Sequence, residues 1–355
     1  RPLKNQRGMA LLITLTVITL LMITTVELNR RTRSDVQSTA IARDRYMISE
    51  MLTSGVHLAL ALLAEDRRDS EADSLQEDWA DPEKIQLLLQ SIPFDQGEIA
   101  LQISDERSRV QVNALVKFPE GREFNENQRR LWERTLRVAM LAHEQTEETD
   151  PVSTIINSLK DWMDSGDDDA ITGLTGAESD FYQDLSPPYG CRNGIFTHPA
   201  EILQVQGMTP ELFYGDKEIP GLIDYMTVMG MTDDGGGRFT FDGRININTA
   251  PLPVLMALLP EENQDLAVAI DEYRQEKDGE TYVHDLTSPT WYRNVPGAGD
   301  ITIDADLITT RSDFFRIDVQ ARRNGIENAA SVFIQREPIG ESDQIRCRIL
   351  SWEQD

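Results

Sequence analysis

Five aspartates fall within nine residues, at Asp161, Asp164, Asp167, Asp168 and Asp169, and Glu178 and Asp180 follow shortly after. Like charges packed this closely repel one another unless solvent or a cation compensates them. Asp161 and Asp164 are three apart and share one face if the helix through Trp162 continues. Gly166 then lets the chain turn so that later carboxylates can point inward. Ca²⁺ takes roughly six to eight oxygen ligands in flexible geometry, which loop carboxylates and carbonyls can supply. The spacing is not that of an EF-hand loop, and a solvated acidic loop has the same composition. At the level of residues both readings stand.

Other chemistry finds little footing. The four histidines (His57, His143, His198, His284) are scattered, and neither HExxH, GxSxG nor a P-loop occurs. A hydrolase or NTPase has no motif to rest on, and the expectation is a protein that is not an enzyme. The two cysteines, Cys191 and Cys347, lie far apart and form no CxxC. A long-range disulfide between them and a buried thiol at Cys347 are both compatible with the sequence. Acidic residues outnumber basic ones 61 to 34, for a net charge of −27. Non-specific nucleic-acid binding depends on Lys and Arg neutralising phosphates, so this balance argues against it. It suits cation binding or a well-solvated surface.

The acidic cluster sits in a middle region, residues 150–300, that reads mainly as helix and loop. Before it, Ile99, Leu101 and Ile103 alternate with polar residues, and Val110 and Val112 alternate again, predicting two short half-buried strands. A helix is expected over about 125–145, with Leu131, Trp132, Leu136, Ala139 and Met140 on one side. Alternation returns at Phe315, Ile317, Val319 and Ala321, followed by an Asn324-Gly325 turn and a strand to about Arg336. Ile345, Cys347 and Ile349 mark a last strand with Cys347 pointing inward. β-rich segments thus flank a helical middle, as expected for a domain inserted into an α+β fold. Trp162, Phe181 and Tyr182 are expected to pack that insertion's core.

The N-terminus has its own chemistry. Arg1, Lys4 and Arg7 precede Gly8, and from Met9 to Val26 eighteen residues pass without a charge. As a helix that run rises about 27 Å, close to the hydrocarbon thickness of a bilayer. A cleaved secretory signal is the rival reading, but the apolar run is long and no small-x-small site follows it. Apolar residues instead continue at helical spacing through Ile48, Leu52, Val56, Ala59 and Leu63, predicting one helix of about 55 residues from Met9. Arg30, Arg31 and Arg33 beyond the run balance the basic residues before it, so charge alone leaves the orientation open.

Gly8 before such a run resembles the type IV pilin and pseudopilin class. The resemblance implies cleavage after Gly8 by a prepilin peptidase and methylation of the new amino group of Met9. Most pilins carry Glu at the fifth mature position, where this chain has Ile13. A carboxylate in the apolar phase costs roughly 2.5–3.5 kcal/mol, so it belongs only where a neighbour pairs with it. K-type pseudopilins lack it, consistent with a subunit at a filament tip. SLKDWMDSGDDDAITGLTGAESDFYQDLSPPY, FTHPAEILQVQGMTPELF and RININTAPLPVL also resemble, in order and wording, the inserted domain of the type II secretion system protein K family, and DERSRVQVNAL resembles its early strand pair.

That resemblance implies a pilin-like fold, a long N-terminal helix on an antiparallel sheet, with a large inserted helical domain containing helix-hairpin-helix, SAM-like units. Expected boundaries are a leader at 1–8, a helix at 9–65 with its transmembrane part at 9–27, pilin-like segments at 66–149 and 301–355, and the insertion at 150–300. The implied role is a minor pseudopilin at the pseudopilus tip with I- and J-type partners, anchored once in the inner membrane, its globular part periplasmic. Calcium in the inserted domain is implied as well, with Asp161, Asp164, Asp167, Asp168, Asp169, Glu178 and Asp180 as candidate ligands. PAEILQVQGMTPEL and APLPVLMALLPEENQDL look like helix-hairpin-helix units, the second with Asn248-Thr249 as a cap and Pro251 in the first turn, and such units often bind DNA. Here Pro260-Glu261 replaces the glycine pair that would expose N–H groups to phosphate, so no nucleic-acid partner is expected. A minor pilin of a type IV pilus or competence system is the alternative.

Overall fold

The computed structural model describes residues 7–354 except 93, 95, 143–150, 167–170, 234–235 and 340–344. Helix α1 (Arg7–Asp69) is a single helix of 63 residues. Its first half lies exposed along its length, and the hydroxyls of Thr14, Thr16, Thr24 and Thr25 donate to carbonyls three or four residues back. Those polar groups are thereby satisfied within the helix, as an apolar surrounding requires. No other helix among the described residues is long and apolar enough to cross a membrane. The second half of α1 is buried along one stripe: Ile48, Met51, Leu52, Val56, Ala59 and Leu63 are each at most 1% exposed.

That stripe rests on a four-stranded antiparallel sheet. Helix α2 (Pro82–Ser91), capped by the Asp81 carboxylate, leads into its first strand, β1 (Glu98–Asp105). The sheet's other three strands come from the C-terminus. In between lie β2 (Val110–Gln111), α3 (Glu126–Ala142), α4 (Pro151–Met163), α5 (Ser179–Gln183), α6 (Pro210–Tyr214), α7 (Leu222–Tyr225), β3 (Met226–Thr227), β4 (Met231–Asp233), β5 (Phe239–Phe241), β6 (Ile245–Asn246), α8 (Leu252–Leu258), α9 (Leu266–Gln275), β7 (Lys277–Asp278), β8 (Thr281–Tyr282) and β9 (Ile308–Thr309). The chain then completes the sheet with β10 (Phe314–Arg323), β11 (Ile326–Pro338) and β12 (Ile345–Gln354), in the order β1-β10-β11-β12. Asn324 and Gly325 take φ of 49° and 80°, the left-handed pair that a two-residue hairpin turn demands. Phe315, Ile317 and Val319 face α1 opposite Ile334, Val332 and Ala330. At Gly55 a Cβ would lie 2.8 Å from Val319 Cγ1, so glycine sets how closely the helix meets the sheet.

A second core is separate from the first and draws on Val110 through Ile308, with Trp132, Trp291, Tyr182, Tyr292 and Phe213 fully buried. The boundaries expected at 150 and 300 therefore shift outward. Val110 and Val112 do not form a half-buried strand of the four-stranded sheet: β2 (Val110–Gln111) is two residues long, both buried, and pairs parallel with β3 far along the chain. Helix α3 likewise packs on α4 and α8, inside the insertion. The first expected helix-hairpin-helix opens on a 3-10 turn, Pro199–Gln204, before Gly207 and the Thr209 cap of α6. In the second, α8 and α9, Pro251 occupies the N-cap position with no side-chain hydrogen bond, and Asn248-Thr249 does not cap the helix.

Asn248 and Thr249 serve elsewhere. Where the two cores meet, Thr249 donates to Asp105 Oδ2 at 2.6 Å, and Asn246 reaches the same oxygen at 2.8 Å. Asn248 donates to the carbonyls of Asp73 and Leu286, and its own oxygen accepts from Trp291 Nε1 at 2.7 Å. Asp73 is held in turn by Arg336 and by the Ser312 amide, and Arg336 also binds Asp66 at 2.9 Å. Burial pushes the Asp105 and Asp66 carboxyls up to about 6 and that of Glu77 up to about 8.

Candidate functional site

Helix α4 turns Val152, Ile155, Ile156, Leu159, Trp162 and Met163 into the second core, which sinks its C-terminal end. Asp161 is carried down with that face and is fully buried, and Asp164, just past the helix, is 5% exposed. The chain loops back through Thr172–Gly176 to Glu178, the buried residue that precedes α5. Carboxylate oxygens of Asp161, Asp164 and Glu178 all lie within 4.8 Å of one another. The expectation that Asp161 and Asp164 share a face holds, and Glu178 joins them.

The surrounding chain is shaped for these carboxylates. The Thr172 amide donates to Asp161 Oδ1 and Oδ2, both at 3.1 Å. Lys160 Nζ binds Asp164 Oδ2 at 2.9 Å and Thr172 Oγ1 at 3.0 Å. A Cβ at Gly176 would fall 2.1 Å from Asp161 Oδ2, so only glycine leaves room for that oxygen. Desolvation, opposed by the Thr172 bonds, raises the Asp161 carboxyl above its ordinary value. Trp162 and Tyr182 meet edge to face at 5.1 Å and close the apolar side.

Among the described residues, three buried carboxylates thus face one ammonium, and Asp164 Oδ1 is buried with no hydrogen-bond donor. Leaving such an acceptor unsatisfied is costly, and a hard cation with oxygen preference satisfies it without a proton. The donor set therefore fits a calcium-like ion. Three parts of the sequence expectation come out differently. Asp180 is exposed, in the first turn of α5, outside the cluster. Asp167, Asp168 and Asp169 lie outside the described residues. Phe181, expected in the core, is 39% exposed and only edges Tyr182.

No disulfide joins the cysteines. Cys191 packs on the second core with its sulfur 3.6 Å from the Ala177 carbonyl, whereas Cys347 packs on the first, 3.8 Å from the Leu60 carbonyl. Of the two readings the sequence left open, the structure has free thiols, each packed on a different core. Gly8 and Met9 stand exposed at the start of α1, beside no other described feature that could do chemistry.

One acidic group was missed by sequence reasoning. Asp66, Asp73 and Glu77 also bring oxygens within 4.8 Å of one another. They are spread along the chain with no cluster to notice, and Arg336 comes from β11 to pair with Asp66 and Asp73. This group carries its own counter-ion, and its architecture is that of a joint between the helix, the sheet and the insertion.

Residues 108–214 match the family model described as type II secretion system protein K. A type II secretion system protein K of Pectobacterium carotovorum is 26% identical over 220 residues, 59% of this chain and 60% of the relative. Another, from Aeromonas hydrophila, is 23% identical over 212 residues, 59% of this chain and 61% of the relative. The match thus spans about three fifths of the length of these curated relatives. In three dimensions the chain is similar to one chain of the crystal structure of the GspK-GspI-GspJ complex of the enterotoxigenic Escherichia coli type 2 secretion system. The TM-score is 0.61 at 19% identity, covering 88% of this chain and 99% of that one, which shows a shared fold.

Proposed function

We propose that this chain, which belongs to the type II secretion system protein K family, works as a minor pseudopilin at the tip of the secretion pseudopilus, supporting protein export. One observation carries the reading: a helix with an uncovered apolar half supports a pilin-type sheet, and a second domain with its own core is inserted between β1 and β10. The apolar half anchors the chain once in the inner membrane and then packs into the filament. The inserted domain makes the head bulky, which leaves no room for a subunit above it. Ile13 supports the same place, because a tip subunit has no amino terminus above it to pair with a carboxylate.

The partners in this reading are the I- and J-type minor pseudopilins, the kind of assembly named for the structural neighbour. A prepilin peptidase cuts after Gly8, and the new amino group of Met9 is methylated. The globular part stands in the periplasm and does its work by assembly, with no reaction of its own. Asp161, Asp164 and Glu178 would hold calcium, which when bound supplies the positive charge that three buried carboxylates lack. Thr172 and Gly176 orient Asp161 toward that position, and Lys160 takes up part of the charge.

Co-expression of the full chain with I- and J-type pseudopilins, followed by affinity capture in detergent, tests the proposal. A stoichiometric three-subunit complex is the expected result. Capture of the chain alone, or equally well with pilins of an unrelated type IV pilus, would overturn it.

A further inference from the structure

Arginines gather on one side of the inserted domain, against the acidic trend of the whole chain. Arg244, Arg293 and Arg311 line a cavity of about 720 Å³, and a neighbouring one of about 350 Å³ is lined by Arg130, Arg134 and Arg137. The two adjoin at Thr302, Ile303 and Asp304, which line both, so together they form one long groove. Six arginines face three lining carboxylates, Glu133, Glu261 and Asp304, in a chain whose acidic residues outnumber basic ones 61 to 34.

Several of these cations lack an internal counter-ion. Among the described residues, Arg130, Arg134 and Arg293 make no ion pair. Arg134 is half-buried and fixed by the Leu258 and Leu259 carbonyls, at 3.2 and 2.8 Å, and desolvation holds its guanidinium below the ordinary value. Arg293 is held by the Ile301 carbonyl and Thr302 Oγ1, both at 3.2 Å. These partners position the charge without cancelling it, so each guanidinium is ordered in advance and keeps its field. Arg311 pairs only with the exposed Glu71, a contact of little strength in water.

We infer that this groove receives an extended acidic segment of another protein, its carboxylates paired with Arg130, Arg134 and Arg293 and its apolar side chains against the exposed Pro289 and Ala305. A small anion fills only a small part of the combined volume of the two cavities. A nucleic acid presents phosphates in unbroken succession, which Glu133, Glu261 and Asp304 would repel. A polypeptide can place its carboxylates between those three. The inference goes beyond the secretion reading and does not depend on it.

The test is fluorescence polarisation of a labelled peptide of alternating Glu and Leu with the full chain in detergent. The expected result is binding that weakens steeply with salt, and that weakens by at least about tenfold in Arg134→Gln/Arg293→Gln. Arg130→Glu, an exposed charge reversal that leaves the fold intact by melting temperature, should weaken it as well. Arg192→Gln, on a guanidinium already paired with Glu201, should not. Absence of peptide binding at low salt, equal loss in Arg192→Gln, or tighter binding of an oligonucleotide of equal charge would each overturn the inference.

Discussion

The acidic cluster makes the sharpest prediction, because its charge is worked out by position. Asp161, Asp164 and Glu178 bring buried oxygens within 4.8 Å of one another and have Lys160 as their single close cation among the described residues. At an effective dielectric of about 20, two unit charges at that separation repel by about 3 kcal/mol. An ion bound only by the folded chain adds about 2.7 kcal/mol when its free concentration is about a hundred times its dissociation constant. For a chain of this size unfolding as one unit, that amounts to a rise of roughly 4 °C in Tm. The substitution Asp164→Asn removes one repulsive charge and, at the same time, the 2.9 Å ion pair with Lys160. Those effects oppose each other, so stability in chelator should change little while most of the calcium increment disappears. Differential scanning fluorimetry of both proteins in calcium, magnesium and chelator reads this directly. Magnesium should give a smaller rise, since it sheds water reluctantly and demands stricter geometry. Equal melting of the parent protein in calcium and chelator, or a full increment in Asp164→Asn, would refute the cation site.

Three other outcomes follow from the same structure. Gly176→Ala drives a methyl to 2.1 Å from Asp161 Oδ2, so it should cost about 1–3 kcal/mol by urea denaturation and diminish the calcium increment as well. Asn248→Ala strips Trp291 Nε1 and the Asp73 and Leu286 carbonyls of a partner at the junction, which should cost about 2–4 kcal/mol; a loss under about 1 kcal/mol would show that water replaces it. The junction carboxyls of Asp105, Asp66 and Glu77 titrate above their ordinary values, so the folded chain binds protons more tightly than the unfolded one. Their contribution is complete at low pH and is lost as pH rises through about 6 for Asp66 and Asp105 and about 8 for Glu77. Stability should therefore decline across that window, by at most about 1.4 kcal/mol per pH unit for each group, and Glu77→Gln should flatten its upper part.

Much of the frame was legible in the residues because its signals are local and periodic. Helix α1 announces itself by eighteen uncharged residues and then by apolar positions three and four apart. The β10–β11 hairpin does so by alternation around Asn324-Gly325. The limit of the insertion was not legible, because β2 pairs with β3 over two residues, too few for either to leave a pattern. Val110 and Val112 mimic the alternation of a half-buried strand while lying in a different core. Asp180 illustrates the same limit within the site. It is two residues from Glu178, yet the turn into α5 aims one carboxyl inward and the other at solvent. Asn248 and Thr249, read as a helix cap by type and position, are recruited elsewhere, Thr249 by the buried Asp105 and Asn248 by the carbonyls of Asp73 and Leu286, needs that no neighbouring residue reveals.

How the insertion joins the frame decides what a bound cation could do to the head. The chain leaves the sheet at Asp105 and returns at Phe314, and Asp105 lies opposite Phe315 in the β1–β10 register. Entry and exit are thus side by side, which by itself would permit a hinge. The parallel pairs β2–β3 and β6–β9 form beyond that point, and Asn246, Asn248 and Thr249 tie the insertion to Asp73 and Asp105 across it. A two-strand exit stitched by buried hydrogen bonds resists bending, because each bond broken leaves a polar group without water. The Asp161–Asp164–Glu178 cluster, by contrast, is bounded by α4, α5 and the turn between them, away from that seam. Cation binding there should stiffen the insertion's own core and leave its attachment unchanged. Hydrogen exchange in calcium against chelator would separate the two regions. Protection should rise at α4 and the residues after it, with the amides of Asn248 and Ser312 unaltered; a parallel change at the seam would show that the cation governs the whole head.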